Sequence, residues 1–284
     1  MSGANPVSRQ AGIAAGSARV FSLSISRWTR SGKVLLVLLF GLLPVALLAS
    51  RGWLFEIPDR ELGRGALFFH FVFVAATLQF FLLFCSILFG ASAFAEEVED
   101  QTLVYYFSRP FPRSAVFLGK VASAVLLSSA VLSLSILAAY AFRNGWPGTA
   151  GGDESPVTLP QALLCAGVAS LGAAAYGSAF AAIGTFLKKP LLVSIILAFG
   201  WEVIVSNIPG VIPNVTVMYY LRSLFFGIFG PLPIPMPQGD LFTDTKVFVA
   251  PASAALTLGG VAVFCAGLGA AIVSRREYVL NRAE

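Results

Sequence analysis

The densest group of ionisable and aromatic side chains lies between residues 96 and 120, in the stretch EEVEDQTLVYYFSRPFPRSAVFLGK, which we call the connector. It opens with an acidic cluster formed by Glu96, Glu97, Glu99 and Asp100. Aromatic residues and Arg follow, and these are the side chains that most often anchor protein interfaces. Because the connector separates two apolar runs, its side chains could dock a partner or lie among lipid headgroups.

The sequence lacks the residue spacing that nucleotide or peptide chemistry requires. A phosphate loop needs GxxxxGK followed by Ser or Thr, so that backbone amides and a hydroxyl cradle phosphate and metal. Around Gly119 and Lys120, Ser114 replaces the first Gly and Val121 follows the Lys. Ser/His pairs, HExxH and paired intramembrane Asp residues do not occur either. We therefore expect no catalytic residues and no nucleotide site in this chain.

Two ionisable residues, His70 and Glu202, fall well inside apolar runs. A charge inside a membrane is costly and indicates a functional site by default. His70 lies near the predicted outer end of its run, where local hydrogen bonding accounts for it. Glu202 has two interpretations. It either lines a substrate pathway or is a structural partner of a Tyr or of Arg222.

Composition places these residues in an integral membrane protein. Hydrophobic residues make up 57% of the chain and charged residues 12%, against about 25% charged residues in soluble domains. The three cysteines lie in separate apolar runs without metal-ligand spacing, so no metal site is predicted. In a membrane protein the net charge of +5 reports which loops face the cytoplasm, so nucleic acid is not an expected partner.

A helix needs roughly 20 mostly apolar residues to cross a bilayer. We predict six transmembrane helices, at about residues 34–50, 66–95, 121–142, 161–187, 191–206 and 252–274. Small residues form a stripe on the fourth of these, which either packs within one subunit or forms a dimer seam. The stripe consists of Ser170, Ala174, Gly177, Ala181 and Gly184.

Most of the Lys and Arg residues fall on the side of the membrane that carries both termini and the connector. The positive-inside rule therefore predicts cytoplasmic termini and a cytoplasmic connector. In the tail, Phe21, Ile25 and Trp28 share one helical face, which favours an interfacial helix over a disordered tail or an Arg- and Ser-rich transit peptide. The outer loop, residues 207–250, contains a short apolar stretch at 215–230 that suits a re-entrant or interfacial helix.

The connector itself should contain a short helix. Asp100 or Thr102 can cap it, with the acidic side chains near its positive end. It would run through the aromatic residues and end before Pro110, because the residue that precedes a proline disfavours helix. Ser114 could then cap the third transmembrane helix.

This pattern resembles the cytoplasmic loop of type-2 ABC exporter permeases, in which acids, Thr-Leu, Arg-Pro, a further Arg and Gly-Lys lead into the third helix. The matching residues are Glu97, Thr102, Leu103, Arg109, Pro110, Arg113, Gly119 and Lys120. The six-helix layout, the basic lead-in and the outer re-entrant helix agree with that family. The resemblance implies one all-α transmembrane domain over residues 1–284, in the plasma (inner) membrane of the cell.

It also implies a function. The chain would be a permease subunit that pairs with a second copy or a homologue, and each copy would dock an ABC ATPase that holds ATP and Mg²⁺. The connector helix would be the coupling helix, contacting the ATPase through Thr102, Leu103, Tyr105, Tyr106, Arg109, Pro110 and Arg113. The acidic cluster would pair with Arg or solvate the helix end. The alternative is a non-transporting membrane scaffold that docks a cytoplasmic partner through the same loop.

Overall fold

The computed structural model describes residues 6–30, 32–49, 72–93, 112–145, 157–187, 189–208, 212–229 and 249–275. Every regular element in these ranges is helical. The all-α prediction is therefore confirmed for the part of the chain that the structure describes.

Three helices form the N-terminal part: α1 (Pro6–Arg30), α2 (Gly32–Gly41) and α3 (Leu43–Ala49). A break separates α2 from α3 because Pro44 has no backbone N–H to continue the hydrogen-bond ladder. The Ser135 hydroxyl donates to the Gly41 carbonyl at 2.5 Å, which satisfies an acceptor at this break. The predicted first span at residues 34–50 corresponds to the apolar helix Val34–Ala49, which is interrupted only by a one-residue turn at Leu42.

The next three helices form most of the core. Helix α4 (Val72–Ala91) has π-helical geometry over Val72–Leu82 and Ile87–Ala91. Helix α5 covers Arg113–Gly145 and α6 covers Leu159–Phe186. The 33 residues of α5 correspond to about 50 Å at 1.5 Å per residue, which exceeds the roughly 30 Å hydrocarbon core. Helix α5 therefore tilts or projects beyond the lipid.

The C-terminal half contains two short apolar helices and one long one. Helix α7 (Pro190–Val205) is π-helical over Ile196–Glu202. A 3-10 turn at Ile212–Val215 leads into α8 (Val217–Phe229), and α9 covers Pro251–Arg275. The predicted short apolar helix of the outer loop, at residues 215–230, is thus present as α8.

Within the described residues, α4, α5, α6 and α9 are long and apolar enough to cross a membrane. Helix α1 and the α2–α3 pair, bent by 70° relative to each other, would add a fifth crossing if they span together. Helices α7 and α8 are apolar but shorter. The chain is therefore a multi-pass membrane protein with four or five clear span candidates, against the six predicted.

Helix α6 lies at the centre and packs against α4, α5 and α9. A Cβ atom added at Gly90 of α4 would lie 2.8 Å from the Gly177 carbonyl oxygen of α6. Glycine is required there because any side chain would separate the two backbones. Gly177 belongs to the predicted small-residue stripe, so this part of the stripe packs within one subunit.

Helix α1 packs lengthwise against α5. Its buried residues repeat every fourth position and are Gly16, Val20, Ser24 and Trp28. Of the predicted apolar face, Trp28 is buried, whereas Phe21 and Ile25 are half-buried. The face of α1 that packs on α5 therefore differs from the predicted apolar face. It includes the small residues Gly16 and Ser24, which allow α1 to lie close to α5.

Candidate functional site

Most of the predicted coupling residues lie outside the described part of the chain. They remain predictions: Thr102, Leu103, Tyr105, Tyr106, Arg109 and Pro110, together with the acidic cluster Glu96, Glu97, Glu99 and Asp100. His70 also lies outside it. Arg113 is described and is the exposed first residue of α5. The amides of Ala115 and Val116 donate to the Pro112 carbonyl, so α5 begins before Ser114, which therefore does not cap it.

Lys120, the last residue of the connector, contacts the backbone just before the connector begins. Its Nζ atom donates to the Ala93 carbonyl oxygen at 3.0 Å. Ala93 lies three residues before Glu96, where the connector begins, and Lys120 is the connector's last residue. Lys120 is only 1% exposed, so its ammonium group is enclosed by protein. The Gly-Lys pair thus contacts the backbone of α4, within a helix rather than in a phosphate-binding loop.

Gly119 allows α1 to close over the same place. A Cβ atom at Gly119 would lie 2.5 Å from the Ser17 carbonyl oxygen and 3.1 Å from the Val20 Cβ atom. Only glycine accepts so close a backbone approach without displacement of α1. We call the region formed by Ser17, Ala93, Gly119 and Lys120 the connector junction.

A second contact fixes α1 to α4 near the connector junction. The rings of Trp28 and Phe89 lie 5.5 Å apart between centroids, at a tilted angle. Both side chains are buried. Three helices, α1, α4 and α5, are therefore joined where the connector leaves and re-enters the membrane domain.

A second set of polar residues, which we call the polar cluster, surrounds Glu202. Its Oε2 atom accepts a hydrogen bond from the Tyr176 hydroxyl at 2.8 Å. The backbone amides of Val217 and Met218 donate to the same carboxylate at 3.2 and 3.3 Å. These amides belong to the first turn of α8, where backbone N–H groups have no partner within the helix. Glu202 therefore anchors the start of α8 to α6 and α7.

Arg222 of α8 completes the polar cluster. Its Nη1 atom donates to the Ser206 carbonyl at 3.0 Å. Its Nη2 atom donates to Gln79 Oε1 at 3.0 Å and to Asn207 Oδ1 at 3.1 Å. Arg222 and Glu202 are each 5% exposed. Arg222 therefore connects α8 both to α4 and to the chain segment that follows α7.

These contacts bear on the two interpretations of Glu202. The carboxylate is a direct partner of Tyr176 and lies in the same cluster as Arg222, which fits the structural interpretation. Sequence reasoning identified Glu202 and Arg222 because charges interrupt apolar runs. It missed Tyr176 and Gln79, whose only signal is a polar group within an apolar helix. No group of three metal-ligating side chains occurs in the ranges described above.

An apolar groove lies between the N-terminal helices, α4 and α7. It has a volume of about 440 Å³. Aromatic side chains on its wall include Phe40, Phe80, Phe84 and Phe199. Its chemistry suits a hydrocarbon chain rather than a polar solute.

The family comparison agrees with the connector and the helical architecture. Residues 27–204 match the model of a family described as ABC-2 family transporter protein. The chain belongs to the ABC-2 transporter family. The match includes α4, α5, the connector and Glu202, and it covers more than half of the chain. No curated protein and no solved structure matches the chain.

Membership of the ABC-2 family makes this protein a transport permease rather than a catalytic subunit. The type-2 ABC exporter resemblance drawn from the connector is thereby confirmed at the level of the family. The matched region ends at residue 204, before α8 begins.

Proposed function

We propose that the chain is the membrane-spanning permease subunit of an ATP-driven ABC transporter. ATP and Mg²⁺ are bound by a separate ATPase subunit, two copies of which serve a pair of permeases formed by this chain with itself or a homologue. The observation that carries the proposal is the family match over residues 27–204, which contains the whole connector. The aromatic and Arg residues of the connector supply the chemistry of a docking surface.

The proposed mechanism follows from the position of the connector between two membrane helices. ATP-driven closure of the ATPases pushes the connector helices of the two permeases together. That movement shifts the helix bundles between inward-open and outward-open arrangements. In this mechanism Tyr105, Tyr106 and Arg109 contact the ATPase, and the acidic cluster pairs with basic groups nearby.

We propose a six-span topology in the inner membrane with both termini cytoplasmic. The α2–α3 pair forms the first crossing and α7 the fifth, so the connector is cytoplasmic. Helix α8 enters from the outer side and returns, because its 13 residues cover only about 20 Å. Two sets of bonds support this placement: the Val217 and Met218 amides of α8 donate to Glu202, and its Arg222 donates to the Ser206 carbonyl. They hold α8 beside α7 rather than across the bilayer.

Co-purification with the ATPase tests the proposal. The variants Tyr106→Ala and Arg109→Glu should weaken association with the ATPase subunit and reduce the change in ATP hydrolysis that the permease causes. Arg60→Glu, in the predicted outer loop, is the matched control and should change neither measurement. If both connector variants bind the ATPase and change its ATP hydrolysis as the unmodified chain does, the assignment of a coupling role to the connector is wrong. Binding without any effect of the permease on hydrolysis or transport would favour the scaffold alternative.

A further inference from the structure

Lys120 is a buried cation whose position the docking role of the connector does not explain. It lies two helical turns into α5, whereas the predicted ATPase contacts stand near residues 102–113. An ammonium group enclosed by apolar helices loses its hydration, and such a residue needs a compensating interaction. The bond to the Ala93 carbonyl supplies one.

The Lys120 bond closes the base of the connector. It links the last residue of the connector to Ala93, which is two residues beyond the end of α4 and 27 positions earlier in the sequence. With water excluded by α1, which packs on Gly119, the bond is also shielded from competition.

If the two helices that flank a loop are not bonded to each other at its base, the loop can bend where it leaves each helix. A force on the loop then bends the loop and moves neither helix. A loop whose two ends are bonded together transmits a push to both helices at once. The bond between Lys120 and Ala93 ties α5 to the residues that follow α4, which favours the second behaviour.

We infer that Lys120 is a positioning residue that makes α4 and α5 respond to movement of the connector as one body. This inference rests on the proposed function. It concerns transmission of the movement and not ATPase binding, so the two can be separated experimentally.

The experiment uses the full chain in lipid nanodiscs with its ATPase subunit. Ile208 is exposed and follows α7, and the up-and-down order of α5, α6 and α7 places it at the end of the bundle away from Lys120. A maleimide reports on the Ile208→Cys site, in a background in which Cys265 is replaced by Ala. The buried Cys85 and Cys165 are retained. The labelling rate is compared without nucleotide and with ATP plus vanadate.

Lys120→Met retains the aliphatic stem and removes the ammonium group. We expect this variant to co-purify with the ATPase and to hydrolyse ATP within about twofold of the unmodified complex. The nucleotide-dependent change in labelling should fall by roughly fivefold or more, the size of a typical coupling between distant sites. Lys120→Arg should restore most of it, because a guanidinium can still donate to Ala93.

Ser123→Ala is the matched control. Ser123 is buried on the same helix, and its hydroxyl donates to the Lys120 carbonyl within α5 at 2.8 Å. Removal of that hydroxyl leaves the bond between α5 and α4 in place. The nucleotide-dependent labelling change should therefore be retained in this variant.

The remaining outcomes are decisive as well. An unchanged labelling response in Lys120→Met overturns the inference while leaving the proposed function intact. Failure of both Lys120→Met and Lys120→Gln to fold assigns Lys120 a purely structural role and also overturns it. An unmodified chain that does not bind the ATPase refutes the proposed function, and the inference with it.

Discussion

Replacement of Glu202 by Gln should destabilise the fold through the polar cluster. The carboxylate accepts three hydrogen bonds, two at Oε2 and one at Oε1. A Gln side chain has one acceptor oxygen, which can take over the Oε2 bonds to Tyr176 and Met218. Its NH₂ group then faces the Val217 amide, a second donor. The loss of one bond to a charged acceptor costs about 1.5–3 kcal/mol, so we expect Glu202→Gln to lower the free energy of unfolding by roughly 2 kcal/mol.

A double-mutant cycle of Glu202→Gln with Tyr176→Phe isolates the part of the Tyr176 bond that depends on a charged acceptor. Tyr176→Phe removes the donor while keeping the ring, which packs at 5.9 Å between centroids from Phe180. Each single variant should have a lower free energy of unfolding than the unmodified chain. The loss in the double variant should be smaller than the sum of the two single losses, by about 1 kcal/mol or more. That estimate lies between the average of about 0.6 kcal/mol for hydrogen bonds in membrane helices and the larger values for charged acceptors.

Denaturant unfolding in mixed lipid–detergent micelles measures these free energies through tryptophan fluorescence, and Trp201 lies next to Glu202. Tyr140→Phe is the matched control, because Tyr140 is half-buried in α5 and packs in a separate apolar cluster. Its effect should add to that of Glu202→Gln within about 0.5 kcal/mol. Equal additivity for Tyr176→Phe would refute a charge-assisted bond between Tyr176 of α6 and Glu202 of α7.

Two further predictions concern other close contacts. Gly119→Ala would place a Cβ atom 2.5 Å from the Ser17 carbonyl oxygen, so α1 should move away from α5. The free energy of unfolding should fall by about 1–3 kcal/mol, and proteolysis of the N-terminal helix should be faster. A normal proteolysis rate would contradict the packing of α1. Arg222→Met leaves Gln79 and Ser206 without their donor and should cost about 3–5 kcal/mol, whereas Arg222→Lys should cost less. Unfolding measurements that rank Lys as the more damaging change would contradict this.

The sequence predicted the helices because apolar runs of sufficient length have few alternatives in a bilayer. The fifth predicted helix, at residues 191–206, nearly coincides with α7, since Pro190 starts it and polar residues follow it. The first predicted helix, at residues 34–50, matches the helix Val34–Ala49, but hydropathy does not register the turn at Leu42 near Pro44. The third was too short, because α5 extends from the apolar run back to Arg113.

The site residues were predictable only where a charge stood out. Glu202 could be identified because it interrupts an apolar run, but its partner Tyr176 lies 26 residues away on another helix. Gln79 and Arg222 are 143 residues apart. For Lys120, the sequence raises only a phosphate-binding role, which the spacing excludes, and a place in the family pattern. Its contact with Ala93 depends on how α4 and α5 pack, which hydropathy does not specify.

The three buried charges have a common physical role. Lys120 donates to the Ala93 carbonyl, Glu202 accepts from the first amides of α8, and Arg222 donates to the Ser206 carbonyl. Backbone groups away from water must be satisfied within the protein, and the ends of helices are where this is most difficult. Each of the three side chains therefore binds a backbone group where the chain leaves or enters a helix, and joins that group to another helix. Such bonds hold the breaks between helices in place. They fix α8 beside α7 and, in the proposed mechanism, let a movement of the connector reach α4 and α5.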